Sequence, residues 1–313
     1  MHTQWKVTIG ATAVARSRLN ERQPGMNRRL RPLLVRLLML CVPVAALLTV
    51  PVTGNASAAR VPANARAAAL ASLRRLMIGE HATNHALGTP VPGSAGPKQA
   101  ISTNWSGYAD AGSQSYTEVS ARWQEPAITC TAGTSLVAFW VGIDGYTSGS
   151  VEQDGSLAYC DKGSGPWYYT WWEMYPNAMQ VVSSNVKEGD EITASVARNG
   201  SSYTLKVTDS TNPGNSFTEH QPCAIKTCAN SSAEWIAEDP LNAQGKLYAL
   251  AKFSAWGVNA ASAKSAAKSG TISTFPAYEI TMSPHASQVV LARPGPLNQA
   301  GTWFRDAWVA AKG

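Results

Sequence analysis

From residue 103 onward, apolar and polar residues alternate over short runs that are separated by turn residues. Seven such runs are rich in Val, Thr, Tyr and Trp: 117–123, 136–143, 167–174, 191–196, 202–207, 233–237 and 251–255. Alternation with a period of two places successive side chains on opposite faces of a strand. Asn199-Gly200, between two of these runs, favours a hairpin of type I′ geometry. The pattern therefore predicts an all-β domain, either a sandwich or a barrel.

Helical patterns are few and short. Residues 67–77 are rich in strong helix formers and predict a short helix. Residues 260–267 show a second helical pattern, which we interpret as a short element within a loop. The tail, 293–313, fits either a last packed strand or an apolar appendage, and its pattern does not decide between the two.

The N-terminal region has the three parts of a secretory signal. Arg28, Arg29 and Arg31 follow Met26, and about a dozen apolar residues and the small residues at 56–58 come next. The apolar run is shorter than the ~20 residues that span a membrane. We therefore expect residues 1–58 to be an N-terminal extension and signal peptide. The protein is expected to be secreted, without membrane contact once the signal is removed.

Residues 59–101 combine the predicted helix with a Pro/Gly-rich linker, which is typical of a pro-segment and leaves 102–313 as the folded domain.

The net charge of the chain divides at nearly the same place. Residues 1–102 hold 13 Lys+Arg and 2 Asp+Glu, a net +11, whereas 103–313 hold 13 and 18, a net −5. An acidic domain argues against a nucleic-acid partner. One interpretation is that the basic pro-segment docks on the acidic domain and is released when the carboxylates of the domain are protonated. The alternative is that the pro-segment forms a solvated stalk.

Four cysteines remain after Cys41 leaves with the signal, and an even set in an exported domain predicts disulfides. Three pairings are possible. We favour Cys130–Cys160 and Cys223–Cys228, because the second closes a short loop. No CxxC pair is present and histidines are few, so no metal site is predicted.

The predicted domain has few residues that could support histidine-dependent catalysis. His220 and His285 are isolated there, and neither GxSxG nor HExxH occurs. What remains is carboxylate and amide chemistry. The candidate residues are Asp144, Glu152, Gln153, Asp154, Glu173, Glu234 and Glu238.

These candidates lie in four ordered motifs: FWVGIDG (139–145), EQDG (152–155), WWEMYP (171–176) and AEWIAEDP (233–240). Together with STNWSGY (102–108), they make the chain resemble the eqolisins, the glutamic peptidases of family G1, over about 102–253. The resemblance implies a two-sheet antiparallel β-sandwich of the concanavalin A-like lectin/glucanase type, a jelly roll. It also implies a secreted zymogen that cleaves polypeptides at acidic pH, without a metal or cofactor. Nothing indicates an obligate partner, so a monomer is expected.

The resemblance also implies roles for single residues. Gln153 matches the family's catalytic glutamine and Glu238 its catalytic glutamate. Trp140, Asp144 and Glu173 match residues of its substrate cleft, and Trp105 and Tyr175 are further candidates for substrate binding. In this interpretation Glu238 is the general base and acid that acts on water, and the Gln153 amide stabilises the oxyanion. A glutamate has an ordinary pKa of ~4.3 and can serve both roles in acid.

Each assignment has a simpler alternative. Without the resemblance, Gln153 would be a surface residue of a strand, and Glu234 and Glu238 would be solvated carboxylates of an edge strand. The tryptophans would be core residues, and Asp144 would be a turn residue. Two other functions use the same features. One is a glycosidase, with Glu173 and Glu238 as carboxyls ~5–5.5 Å apart. The other is a non-catalytic carbohydrate-binding sandwich. Gln153 has an evident use only in the peptidase.

Overall fold

The computed structural model describes residues 63–76, 85–86, 96–242, 246–284 and 289–310. All of them belong to one compact unit of the chain, 57–313. The predicted signal peptide and most of the predicted linker lie outside the described residues. No helix within the described part is long and apolar enough to cross a membrane.

The described residues form one α-helix, α1 (Ala63–Leu76), and twenty strands. The strands are β1 (His85–Ala86), β2 (Lys98–Ser102), β3 (Trp105–Ala111), β4 (Tyr116–Gln124), β5 (Ile128–Thr129), β6 (Ser135–Ile143), β7 (Val151–Asp161), β8 (Ser164–Tyr175), β9 (Gln180–Val186), β10 (Glu191–Asn199), β11 (Ser202–Asp209), β12 (Phe217–Pro222), β13 (Ser232–Glu238), β14 (Ala249–Leu250), β15 (Lys252–Phe253), β16 (Trp256–Ser265), β17 (Ser269–Gly270), β18 (Ala277–Met282), β19 (Ala292–Pro294) and β20 (Phe304–Trp308). Two short 3₁₀ helices cover Pro213–Asn215 and Ile272–Thr274.

The strands form two layers. The front sheet has the order β9-β8-β7-β6-β13-β3-β18-β2-β1. The back sheet has the order β12-β11-β10-β4-β16-β17. Pairing is antiparallel except for β2 with β18 and β14 with β6. Strand β16 pairs with β4 in the back sheet and with β20 through Trp256–Val258, which joins the layers. The predicted two-sheet antiparallel sandwich is confirmed.

The main core lies between the two sheets. It contains Phe139 and Trp235 from the front sheet and Trp123 from the back sheet, all fully buried or nearly so. Trp256 packs edge-on against Trp123, with ring centroids 5.5 Å apart. Burial of such aromatic side chains dominates the energetics of a sandwich core. The alternate residues of the front sheet, such as Trp140, point to its outer face and form a second apolar cluster there.

Most predicted strands are confirmed, but the helical interpretation of 260–267 is wrong. These residues lie largely in β16, whose side chains alternate in burial. A register irregularity between Asn259 and Ser262, with Ala260 at φ +51°, interrupts the alternation. Pairing with β4 overrides the helix propensity of the local sequence. The run predicted at 251–255 contains only the two-residue strand β15.

The chain ends of the domain are part of the sheet. Strand β2 starts at Lys98, ahead of the predicted domain start at 102. In the tail, β20 pairs with β16 and β19, and Phe304 is fully buried, so this segment is a packed strand. The helix predicted at 67–77 is confirmed as α1, which begins four residues earlier; Met77 lies outside the described residues.

The covalent and turn predictions have mixed outcomes. Both favoured disulfides, Cys130–Cys160 and Cys223–Cys228, are present.

The predicted β10–β11 hairpin is confirmed, but Asn199 pairs with Ser202 as the last pair of the ladder. The loop is therefore 200–201, and Gly200 is its residue at positive φ, +65°. Type I′ needs two such residues, so the predicted turn type is wrong.

Candidate active site

The two predicted catalytic residues lie on the same outer face of the front sheet. Gln153 on β7 is opposite Gly142 of β6, and Glu238 on β13 is opposite Ala138 of β6. Because positions 142, 140 and 138 of one strand share a face, Trp140 lies in the row between the two residues. The three side chains come from three neighbouring strands, and only folding brings them to one face.

Glu238 is held by two N–H donors. The indole Nε1 of Trp140 donates to its Oε2 at 2.9 Å, and the Nδ2 of Asn104 donates to its Oε1 at 3.1 Å. Glu238 is only 1% exposed, although it carries a carboxyl group. Strand β13 lies between β3 and β6, so the simpler interpretation of 233–238 as a solvated edge strand is wrong.

Gln153 is paired with Glu173 across β7 and β8. Its Nε2 donates to Glu173 Oε2 at 2.6 Å, which orients the amide. Its Oε1 is buried and has no hydrogen-bond partner among the described residues.

Gly142 allows the Trp140 ring and Gln153 to pack closely on either side of it. A Cβ on Gly142 would lie 2.9 Å from the Trp140 ring and 3.3 Å from the Gln153 Cβ. Any side chain there would push the indole away, and the indole carries the donor to Glu238. The glycine of the FWVGIDG motif is therefore required by packing.

Trp105 and Tyr175 also lie on this face. The Trp105 ring meets the Trp140 ring edge-on, with centroids 4.9 Å apart and an interplanar angle of 81°. Tyr175, at the end of β8, is partly buried against the same outer cluster. The structure thus brings five predicted site residues to the face that bears Glu238: Gln153, Trp140, Glu173, Trp105 and Tyr175.

Asp144 has a different environment. It follows β6 at φ +70°, and its carboxylate accepts the backbone N–H groups of Asn230 and Ser231 at 2.7 and 2.8 Å. Hydroxyls of Ser231 and Ser150 donate to it as well, at 3.1 and 3.4 Å. These bonds fasten the turn after β6 to the segment before β13. This is the turn position that its sequence context favours, and a contact with substrate stays a prediction.

Two further carboxyls on β7 and β13 are buried: Glu234 shares the face of Gln153, and Glu152 faces the main core. Burial and then the neighbouring Asp144 raise the pKa of Glu152 to about 9. Burial raises the pKa of Glu234 well above its usual range, with Asp144 and Glu152 adding to the effect. Both groups are therefore neutral in acid. Within the described ranges, no three His, Cys, Asp or Glu side chains are grouped so that they could hold a metal ion.

Helix α1 covers part of the outer face. Ala69 and Leu73 are buried in the same cluster as Trp140 and Trp171. The guanidinium of Arg66 donates to the carbonyl oxygen of Ser184 and, at 3.0 Å, to Oδ1 of Asn185 at the end of β9. The outer face therefore carries the candidate dyad and also the helix of the predicted pro-segment.

Sequence comparison identifies the family. The Peptidase A4 family matches residues 103–293, more than half of the chain. The chain belongs to this family. It is a glutamic-type endopeptidase, and the eqolisin resemblance of the four motifs is confirmed.

Solved structures support the same fold for this glutamic peptidase. The crystal structure of scytalido-glutamic peptidase with a transition state analog inhibitor matches with a TM-score of 0.55 and 24% identity, covering 66% of this chain and 98% of that one. SCP-B, an eqolisin in complex with the tripeptide Ala-Ile-His, matches with a TM-score of 0.54, 24% identity and the same coverage. A comparison with curated protein sequences found no match.

Sequence reasoning missed Asn104 in this peptidase. The residue precedes Trp105 in the STNWSGY motif, and its amide contacts Glu238 from a part of the chain more than 130 positions away. Its place inside a matching motif was the one available signal, since a single asparagine ahead of a strand is by default a turn residue.

Proposed function

We propose that this glutamic peptidase is a secreted acid endopeptidase that uses Gln153 and Glu238 as its dyad. The observation that carries the proposal is the shared face: an oriented amide on β7 and a hydrogen-bonded carboxylate on β13 lie on one face, with Trp140 of the intervening strand β6 in the row between them.

In the proposed reaction Glu238 first accepts and then returns a proton, while Gln153 stabilises the oxyanion. Glu238 takes a proton from water, and the water oxygen attacks the carbonyl carbon of the peptide. The Gln153 amide has two N–H bonds; one donates to Glu173 and the other can donate to the developing oxyanion. Glu238 then returns its proton to the nitrogen as the C–N bond breaks. Glu173 keeps the amide oriented throughout.

Acidic conditions suit this chemistry and this protein. A carboxylate can accept a proton and a carboxyl group can donate one, so a single glutamate can act as base and then as acid. Burial raises the pKa of Glu234 well above its usual range, so at low pH this group, which shares the face of Gln153, is neutral and adds no charge beside the dyad. Secretion follows from the predicted signal at 1–58, which lies outside the described residues.

The zymogen part of the proposal rests on α1. Leu73 and Ala69 are buried against the outer cluster, so substrate and helix compete for one face. The described partners of Arg66 are a carbonyl and an amide oxygen, which do not titrate. Protonation alone therefore does not release these contacts, and we expect activation to require cleavage between α1 and β2.

The substrate class is tested by offering both alternatives at pH 3–4. The purified protein is incubated with a denatured protein and, separately, with a soluble β-glucan. We expect peptide fragments and no reducing sugar. Release of sugar without peptide cleavage would instead support the glycosidase, with Glu173 and Glu238 as its carboxyls.

A further inference from the structure

The carboxylate of Glu238 is fixed from two directions. Trp140 donates from the neighbouring strand β6 to Oε2, and Asn104 donates to Oε1 from the connection between β2 and β3. Asn104 is 1% exposed, so its amide is as thoroughly buried as the carboxylate it contacts. Because the two donors reach different oxygens, they fix both the position and the rotation of the carboxyl group.

Asn104 is itself oriented by Ser102. The Ser102 hydroxyl donates to Asn104 Oδ1 at 3.3 Å and accepts the backbone N–H groups of Asn104 and Trp105 at 3.3 and 3.1 Å. With its oxygen facing a hydroxyl donor, the amide presents its nitrogen to Glu238. The backbone N–H of Asp239 donates to the Asn104 carbonyl at 2.8 Å, which ties the residue after Glu238 to the same turn.

We propose that Asn104 is a positioning residue for Glu238, an inference that rests on the dyad proposed above. An amide N–H donates to a carboxylate without titrating, so the bond persists over the acidic range in which Glu238 works. It holds the plane of the carboxylate together with the Trp140 indole. A general base displaced by about 1 Å can lose on the order of a hundredfold in rate.

Two variants and one matched control test this role. Asn104→Ala removes the donor, and Asn104→Asp keeps the shape but replaces the donor with a carboxyl. The control is Asn215→Ala: Asn215 is equally buried, and its Nδ2 donates to the carboxylate of Asp209, which lies in the back sheet. The control therefore removes the same kind of bond from a different carboxylate, together with the bond from the Ser183 hydroxyl to Asn215 Oδ1.

We expect Asn104→Ala to lower kcat by roughly tenfold to a hundredfold with little change in KM. In Asn104→Asp the introduced carboxylate repels the charge on Glu238, so the acidic limb of kcat/KM moves to higher pH by about one unit or more. Asn215→Ala should lower the melting temperature and leave kcat and the pH profile unchanged. If Asn104→Ala does not fold, the isosteric Asn104→Asp gives the decisive pH profile.

The inference is overturned if the Asn104 variants that fold keep wild-type kcat and an unmoved pH profile. Glu238→Gln, measured alongside, separates this failure from that of the dyad. An inactive Glu238→Gln with an unmoved Asn104→Asp profile overturns the positioning role alone. A fully active Glu238→Gln overturns the proposed function together with the inference.

Discussion

Replacing Glu152 by Gln should remove one part of the loss of stability that this protein suffers as pH rises, since burial also raises the pKa of other carboxyls such as Glu125 and Asp306. Glu152 is fully buried on β7 next to Gln153. Burial and then Asp144 raise its pKa from 4.5 to about 9. Between these two values the folded protein keeps a proton that the unfolded chain has lost. The contribution is therefore fully present below pH ~4.5 and is lost as pH rises toward 9.

The size of this effect on the free energy of unfolding follows from the linkage between proton binding and folding. One proton held by the folded state and not by the unfolded state lowers the free energy of unfolding by about 1.4 kcal/mol for each pH unit. From pH 5 to pH 8 this amounts to roughly 4 kcal/mol from Glu152. A glutamine at 152 has nearly the same shape and no titrating proton. The free energy of unfolding of Glu152→Gln should thus fall less steeply over this range, by about 1.4 kcal/mol per unit.

The assay is denaturant unfolding at pH 4, 5, 6, 7 and 8, in a Glu238→Gln background that prevents self-digestion. The matched control is Glu118→Gln, which changes an exposed glutamate on β4. The control curve should run parallel to that of the parent protein, whereas the Glu152→Gln curve should diverge upward with pH. Parallel curves for Glu152→Gln and the parent would refute the reasoning.

Two other predictions concern the disulfides and the helix. Replacing both Cys130 and Cys160 by Ser, at a sequence separation of 30, should lower the free energy of unfolding by roughly 3–4 kcal/mol, against about 2 kcal/mol for Cys223 and Cys228. Denaturant unfolding checks this, and equal losses would contradict it. Leu73→Lys places a charge in the apolar cluster under α1 and should raise the activity of the uncleaved chain roughly tenfold or more. No rise on a fluorogenic peptide would contradict a helix that blocks the face.

Periodicity predicted the layers well because burial in a sandwich repeats every two residues. The run 136–143 illustrates its limit: all of β6 is buried, since Phe139 faces the core while Trp140 faces the outer cluster. Alternation could not show that both faces are covered. In 260–267 the residues are good helix formers, and the pairing with β4 that makes them a strand comes from a distant part of the chain.

The candidate site was predictable only in part. Motifs located Gln153 and Glu238, whose strands and common face the structure then described. The local sequence could not predict that the Glu238 side chain is buried, because β13 becomes a central strand only when β3 and β6 pair with it. The contact from Asn104 and the cover by α1 are likewise products of tertiary packing. Asp144 shows the reverse case, since its turn geometry was the simpler alternative from the start.

The central claim is tested most directly by the rate of cleavage of a denatured protein at pH 3–4 by the wild type, Glu238→Gln and Gln153→Glu. The account predicts no measurable turnover for Glu238→Gln, which cannot take a proton from water. It predicts a loss of roughly 10²–10³ in kcat for Gln153→Glu, which removes the oxyanion donor. Wild-type turnover in both variants would contradict it.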